Sequence, residues 1–393
     1  MYTNFDLLLK LHKPILELLN DNGVSYKENA KLVGGCVRDF LLSGKISNDV
    51  DVSTIIKPLK VIERLKKYRK NFKESKFTIL DRDIAYGTVV AIIGNTRYEI
   101  TTTRSDIRCF GRQAEVQFCN DFCKDSKRRD FTINALYLGL DGEILDFYNG
   151  IDDLKKGVVR FIGDPKKRIE EDFLRIIRFF RFATKFNCFE FDNAVLQTII
   201  SMKYGLKNIS RERIRNEIFK LLEYENWFEG LTKIADNNLI EDIFLLKNYE
   251  INGKKPVRFF KSKIASLFYF FNYSYSSMNI LKSSLRFMKE EFEFADFLTS
   301  LWKLTNSGVD FNIDSKMLIY YSYNKNSKYV YDAVDIIQDN DVFNKIELFL
   351  TKIKPLNIDA YSLMKDGFSG KELGDKIRQL EKEWVESDFT IKV

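Results

Sequence analysis

The sequence predicts an α+β molecule, with a mixed N-terminal domain followed by an elongated all-helical remainder. Two observations carry this. Up to about residue 145, short apolar or alternating runs are separated by turn signals and helical stretches. From about residue 165 the apolar positions recur at helical spacing almost to the end.

In the first part, Lys31-Leu32-Val33 runs into Gly34-Gly35, and Asp49-Val50-Asp51-Val52 alternates polar and apolar. Thr88 to Ile93 is β-branched and apolar, and Tyr98 to Thr103 alternates again. Helices are expected at Val37 to Leu42 and at Pro58 to Lys70. In the second part, Pro165 opens a long helical pattern through Ile169, Phe173, Ile176, Ile177, Phe180 and Ala183. Ser210 is read as the cap of a helix from Arg211 to Glu223, with Ile214, Ile218, Leu221 and Leu222 on one face.

Composition excludes several chemistries. A chain of 393 residues that is 45% hydrophobic can bury the cores of two or more domains. The formal charge of +7 suits a nucleic-acid partner without requiring one. Five cysteines in a large chain argue against a disulfide framework, and no Cys/His pair follows Cys119 and Cys123 to complete a zinc site. The single histidine, His12, excludes multi-histidine metal centres. It falls in an amphipathic N-terminal stretch of Leu7, Leu8, Leu11, Ile15 and Leu18, where a helix-surface position is expected. The most apolar later stretch, Ser266 to Phe271, is too short to span a bilayer. The expectation is a soluble cytoplasmic protein with no membrane or protein partner implied.

The chemistry-bearing residues come in five groups. Gly34-Gly35-Cys36-Val37-Arg38-Asp39 places two glycines between a strand and a helix, where backbone N–H groups favour phosphate and Arg38 adds charge. Standing alone, such a pair is a turn. Asp49 and Asp51 are two apart on a strand and so share a face, a pairing that suits Mg²⁺ with its waters and substrate phosphates. An isolated Asp-x-Asp is simply an exposed polar edge, but this one follows the glycine turn by ten residues. Glu99, on another strand-like run, is either a third acidic ligand or proton acceptor, or a surface glutamate. Lys127-Arg128-Arg129-Asp130-Phe131-Thr132-Ile133-Asn134-Ala135 offers arginines for phosphate. On a helix its Asp130 and Asn134 would share a face and reach ribose hydroxyls.

The fifth group is Glu171-Asp172-Phe173-Leu174-Arg175, followed by Arg178 and Arg181. As helical neighbours, Asp172 and Arg175 form either an ordinary ion pair or a reader of base edges. Cytosine and adenine present an amino donor beside a ring-nitrogen acceptor, while guanine and uracil present the reverse. An Asp acceptor beside an Arg donor therefore fits C and A and mispairs with G and U.

Taken together and in this order, these segments resemble the class II CCA tRNA nucleotidyltransferase and bacterial poly(A) polymerase family, within the polymerase-β-like nucleotidyltransferases. Ser210-Arg211-Glu212-Arg213-Ile214 with Glu217 adds to the match, and Asp146 to Leu154 is similar to the family's connector. The C-terminal run from Leu363-Met364 through Gly367, Gly370 and Leu373-Gly374 to Trp384 is also similar. The resemblance implies a nucleotidyltransferase head with a small mixed sheet over 1–145, a helical nucleotide-selecting neck over 146–225, and a tRNA-binding body and tail over 226–393. It implies that Asp49 and Asp51 bind Mg²⁺ and that Gly34, Gly35 and Arg38 contact the nucleotide. Arg129, Asp130, Asn134, Asp172, Arg175, Arg178 and Arg181 would complete the nucleotide pocket, with Glu99 as a further catalytic acid. The implied activity is template-independent addition of C and A to the 3′ end of tRNA from CTP and ATP.

The sequence departs from the family pattern at two points. Arg104 to Gln117 matches a flexible loop that matters for adding the terminal A, and here Phe110-Gly111-Arg112 stands in place of Asp-Gly-Arg. Tyr86 stands where His is frequent before Gly87. The lone histidine excludes an appended His-Asp phosphohydrolase domain. A poly(A) polymerase or a CC- or A-adding enzyme on the same scaffold is the neighbouring reading. A catalytically inactive RNA-binding relative is opposed by the intact Asp49 and Asp51, and a small-molecule nucleotidyltransferase would not need the Glu-Asp-x-x-Arg helix.

Overall fold

The computed structural model describes residues 5–20, 29–70, 76–110, 113–256, 260, 262–306, 313–334, 340–354 and 356–390. It divides into two bodies, one of residues 1–221 with 233–239, the other of 222–232 with 240–393.

The first body is built on a seven-stranded sheet. Its chain order opens with α1 (Asp6–Leu19), β1 (Ala30–Val33), α2 (Gly35–Ser43), β2 (Asp49–Thr54), α3 (Pro58–Lys70), β3 (Phe77–Leu80), β4 (Thr88–Ile93) and β5 (Thr96–Thr102). A separate hairpin of β6 (Arg104–Phe110) and β7 (Gln113–Phe118) follows, then α4 (Phe122–Lys127), β8 (Leu136–Leu138) and β9 (Ile144–Asp146). Across the sheet the order is β3-β4-β5-β2-β1-β8-β9. Only β2 and β5 run parallel, and the other pairs are antiparallel. The sheet is therefore mixed, and β2 lies inside it between β1 and β5. That placement explains its alternation: Val50 and Val52 are buried on one face, which leaves Asp49 and Asp51 together on the other.

The segment 104–117, expected as a loop, takes the form of the β6–β7 hairpin. Gly111 and Arg112 lie outside the described residues.

His12 is a correction to the sequence reading. It is buried, and its Nδ1 lies 3.0 Å from the Tyr98 hydroxyl. The buried stripe of α1 is Leu8, His12, Ile15, Leu16 and Leu19, whereas Leu7 and Leu11 face outward. Position 12 is one helical turn beyond Leu8, so the face that meets the sheet includes it. Burial lowers its pKa to about 4.

The helical part of this body comprises α5 (Gly150–Lys156), α6 (Pro165–Glu171), α7 (Leu174–Phe186), α8 (Asn193–Met202) and α9 (Arg211–Leu221). The long helix expected after Pro165 is broken in two. Asp172 is extended, at φ −157° and ψ 103°, and its carboxylate accepts from the Leu174 amide at 3.2 Å. Such a side-chain cap starts a new helix where the backbone leaves the old one. Phe173 packs its ring against Gly205, where a Cβ would come within 2.0 Å of the ring. The break thus has a side chain that caps it and a glycine that accommodates it. Phe131 and Phe161 cluster with Phe179 and Phe182 of α7, with the Phe161 and Phe179 rings stacked at 5.7 Å.

Helix α10 (Trp227–Asp236) contributes its first part to the second body and its last turn to the first. The rest of the second body is helical, with α11 (Ile240–Phe244), α12 (Lys263–Phe270), α13 (Tyr275–Ser284) and α14 (Lys289–Asn306). It continues through α15 (Ile313–Val334), α16 (Asn340–Lys352), α17 (Ala360–Lys365) and α18 (Gly370–Glu386). Part of its aromatic content forms the core: Phe268, Phe270 and Phe271 are buried, and Tyr273 stacks on Trp302 at 3.7 Å. No helix among the described residues is long and apolar enough to cross a membrane.

Candidate active site

The polar face of β2 is the starting point. In the parallel register Asp49 stands beside Arg97 and Asp51 beside Glu99. The Arg97 guanidinium spans two acids, with one nitrogen 2.7 Å from Asp49 Oδ1 and the other 2.9 Å from Glu99 Oε2. Burial raises the Asp51 pKa to about 6. Arg129 counters this in part, while Glu99 and Asp49 reinforce it. No group of three or more metal-binding side chains is gathered among the described residues. Two same-face carboxylates, one half-buried and one solvent-exposed, fit a hard divalent cation that keeps waters and takes substrate phosphate oxygens.

The glycine turn lies directly against this face. Gly34 has φ +75°, which favours glycine, and a Cβ there would lie 3.4 Å from Asp51 Oδ2 and 3.5 Å from an Arg129 nitrogen. Gly34 precedes α2, and Gly35 begins it. Free backbone N–H groups at a helix start, an arginine and a carboxylate thus meet at one point, an arrangement that suits a metal-bound polyphosphate.

Arg129 is held by residues the sequence reading missed. Its Nε donates to the Tyr137 hydroxyl at 3.0 Å, and that hydroxyl donates to Asp125 Oδ2 at 2.8 Å. Asp125 is fully buried and also pairs with Arg128 at 2.8 Å and Arg129 at 3.4 Å. Burial works to raise the Asp125 pKa, but Arg128 and Arg129 hold it below the ordinary value. The spacing was the available signal: Asp125 is three and four residues before these arginines on the turn that ends α4.

A chain of polar contacts leads from α2 to α7. The Arg38 guanidinium donates to Asn134 Oδ1, and the Asn134 amide donates to Asp130 Oδ1 at 2.9 Å. Asp130 Oδ2 accepts from Arg178 Nε at 2.7 Å. Arg178 also lies 3.5 Å from Glu217 of α9, and Arg181 lies 3.1 Å from the same carboxylate. Asp130 and Asn134 do come together, but through a 3-10 turn at Thr132–Asn134 rather than the expected helix. Their side chains bond each other. Burial would raise the Asp130 pKa, yet Arg178 and the Asn134 amide hold it far below the usual carboxylate range. The guanidiniums of Arg38, Arg178 and Arg181 all lie over the Phe182 ring, 4.8, 5.6 and 4.3 Å from its centre. Phe182 and Glu217 thus join the site as scaffold for three of the expected nucleotide-binding arginines.

Asp172 and Arg175 are placed on either side of the helix break, not on one helix as expected. Asp172 Oδ2 pairs with Arg213 of α9 at 2.7 Å. Arg175 pairs with Glu171 at 2.7 Å and donates to the carbonyls of Arg168 and Arg128. The break turns Asp172 toward α9, while Arg175 reaches back to α6 and to the chain before Arg129. A separate cavity of about 500 Å³, lined in part by Tyr148, Phe161, Phe179, Cys188 and Phe191, includes none of Asp49, Asp51 and Glu99.

Residues 30–160 match the family model described as the poly A polymerase head domain. Residues 188–247 match the model described as the probable RNA and SrmB-binding site of polymerase A. Over 410 residues the chain is 31% identical to the Homo sapiens CCA tRNA nucleotidyltransferase 1, mitochondrial, covering 98% of this chain and 91% of that protein. It is 38% identical over 232 residues to the CCA-adding enzyme of Lactobacillus helveticus, covering 58% of this chain and 54% of the relative. The fold is similar to the crystal structure of the Bacillus stearothermophilus CCA-adding enzyme in complex with CTP, with a TM-score of 0.75 at 22% identity over 97% of this chain and 93% of that one.

The Asp130–Arg178 pair generates a stability prediction. Asp130→Asn takes the nearer of two carboxylates from the half-buried Arg178 guanidinium and should cost about 3 kcal/mol at pH 7. Because the folded pKa of Asp130 is depressed, its ionisation stabilises the fold fully above the unfolded value near 4 and is lost as pH falls toward the folded one. Urea unfolding of wild type and variant should therefore give a gap that is constant from about pH 7 to 5 and narrows below about pH 4. A gap that is absent, or that widens in acid, contradicts the assignment.

Proposed function

This chain belongs to the CCA tRNA nucleotidyltransferase family, and from that premise we propose that it adds C and A nucleotides to the 3′ end of tRNA from CTP and ATP. The observation that carries the reading is the meeting of Asp51, the Gly34 turn and Arg129 at one point, joined through Asp130 to the arginines of α7.

The reaction forms a bond between the RNA 3′ oxygen and the α-phosphorus of the nucleotide, and it breaks the bond to the β-phosphate oxygen. Pyrophosphate leaves, and the hydroxyl proton must be accepted. Asp49 and Asp51 are the residues that would hold Mg²⁺, which when bound withdraws charge from the phosphates and makes the hydroxyl a better nucleophile. Glu99, in register with Asp51, is the proposed proton acceptor. The backbone at Gly34 and Gly35, with Arg129 beside it, binds the triphosphate on the side of Asp51. Arg38, Arg178 and Arg181 supply further positive charge, held in one orientation by Asn134, Asp130, Glu217 and the Phe182 ring. A site this fully braced loses little freedom when the nucleotide enters, which is the physical basis of preorganised charge stabilisation.

Asp172 and Arg175 are proposed to read the base. In this account Arg213 orients the Asp172 carboxylate and Glu171 orients the Arg175 guanidinium, so each reader is braced by an opposite charge. The second body would hold the acceptor arm of tRNA by phosphate contacts and shape.

The test is primer extension on RNA ending before, within and after CCA, with each nucleotide given singly. Two C additions and then one A are expected, with none on a finished end. Long A tails would instead favour the poly(A) polymerase reading. Asp49→Ala or Asp51→Ala should lower both C and A incorporation by about a hundredfold or more while the protein stays folded. Near-normal turnover in either variant removes the metal assignment.

Base selection is tested separately. Asp172→Ala and Arg175→Ala each remove one bond to the base edge, at about 1–3 kcal/mol, or roughly one to two decades of selectivity. Discrimination of CTP over UTP and of ATP over GTP should collapse in variants matched for melting temperature. Lower activity with an unchanged CTP-to-UTP ratio would mean that the two residues brace the helix break and read nothing.

A further inference from the structure

The acidic face of β2 and β5 already contains a cation, the guanidinium of Arg97. Four charged residues form a two-by-two pattern there, with Asp49 beside Arg97 and Asp51 beside Glu99. Arg97 bonds one acid on each strand, to Asp49 at 2.7 Å and to Glu99 at 2.9 Å. It thereby bridges the catalytic pair's exposed member to the neighbouring acid.

Two features argue against a purely structural role. The strands are already joined by their backbone ladder, with Val50 and Ile100 buried on the opposite face, so the sheet does not need the bridge. All three partners are more than one-third exposed, at 43% for Arg97, 69% for Asp49 and 38% for Glu99. Exposed pairs of this kind contribute little to stability, so this one is cheap to open. Asp51 has no place in the bridge. It stands in register with Glu99 and lies against the Gly34 turn, where the Arg129 guanidinium also approaches. Arg97 therefore neutralises the outer half of the acidic face and leaves the inner carboxylate for another cation.

We propose that Arg97 is a displaceable counter-ion that weakens metal binding to Asp49 and Asp51 in the nucleotide-free protein, so that the divalent cation is held firmly only when a triphosphate brings further ligands. The proposal rests on the assignment of Asp49 and Asp51 as metal ligands. Removing Arg97 frees Asp49 and deletes a repulsive charge, and both effects tighten metal binding.

The experiment is direct titration of Mn²⁺ into the nucleotide-free protein, read by electron paramagnetic resonance of the free ion, with circular dichroism to verify the fold. Wild type, Arg97→Gln, Arg97→Lys and Asp51→Asn are compared at low salt and at about 0.5 M KCl. Arg97→Gln should bind Mn²⁺ about three- to tenfold more tightly than wild type. This is the size expected for one unit charge acting on a divalent ion across several ångströms of solvated space. Arg97→Lys, which keeps the charge, should stay near wild type, and the gain in Arg97→Gln should shrink in high salt. If Mn²⁺ binding depends on Asp51 but is unchanged or weaker in Arg97→Gln, the counter-ion role is overturned while the metal site stands. If wild type and Asp51→Asn bind Mn²⁺ alike, the metal site itself is overturned, and the proposal with it.

Discussion

The ion pair between Asp130 and Arg178 is the contact on which the rest of the site depends. Asp130 belongs to the turn that leads from α4 into β8, and Arg178 belongs to the middle of α7. A charge buried in this way is tolerated only when its partner and its remaining hydrogen bonds are all in place. Asp130 meets the condition by accepting from Arg178, from the Asn134 amide and from its neighbour's backbone. Through Asn134 the same constraint reaches Arg38 on α2, and through Glu217 it reaches Arg181 and α9. One satisfied carboxylate thus fixes the sheet, the first helix after the glycine turn and helices α7 and α9 relative to one another. Phe182 serves as the common apolar floor under the three arginines.

The carboxylates on β2 follow a different logic. They are left short of compensation, and burial among like charges raises the pKa of Asp51. Around Asp130 the protein supplies every partner, which gives a rigid scaffold. At Asp49 and Asp51 it supplies the exposed Arg97 guanidinium, Arg129 on the side of the Gly34 turn and a helix N-terminus, which on the proposed reading leaves a place for charges that arrive with the substrate. The division between the two groups of acids is set by their neighbours and not by residue type.

Much of this was legible in the sequence because it depended on local period. The alternation of Asp49-Val50-Asp51-Val52 placed both acids on one face, and a strand ending at Gly34-Gly35 fixed the turn beside them. The α+β class and the helical remainder followed from the same patterns, while the small mixed sheet was what the family resemblance implied. What was not legible depended on tertiary partners. His12 looked like a surface residue because its buried stripe is offset by one position from the apparent one. The helix break at Asp172 was hidden because Phe173 keeps the apolar period, and Gly205, which makes room for the Phe173 ring, is distant in sequence. Asp125 had only its spacing to Arg128 and Arg129 to mark it, and Tyr137 carries no motif, so only the folded chain brings its hydroxyl to Arg129.

If the buried charge chain is what makes the sheet and the neck helices a single nucleotide site, Asp130 and Arg178 must act as one unit in catalysis as well as in packing. A double-mutant cycle of Asp130→Asn and Arg178→Gln, read as kcat/KM for CTP on a tRNA lacking its CCA end, measures this directly. The account predicts that each single variant loses most of what the pair contributes and that the double variant loses little more, a coupling of about 1–3 kcal/mol. Losses that simply add, to within about 0.5 kcal/mol, would mean that the two residues serve the site independently and would contradict the central role of their pairing.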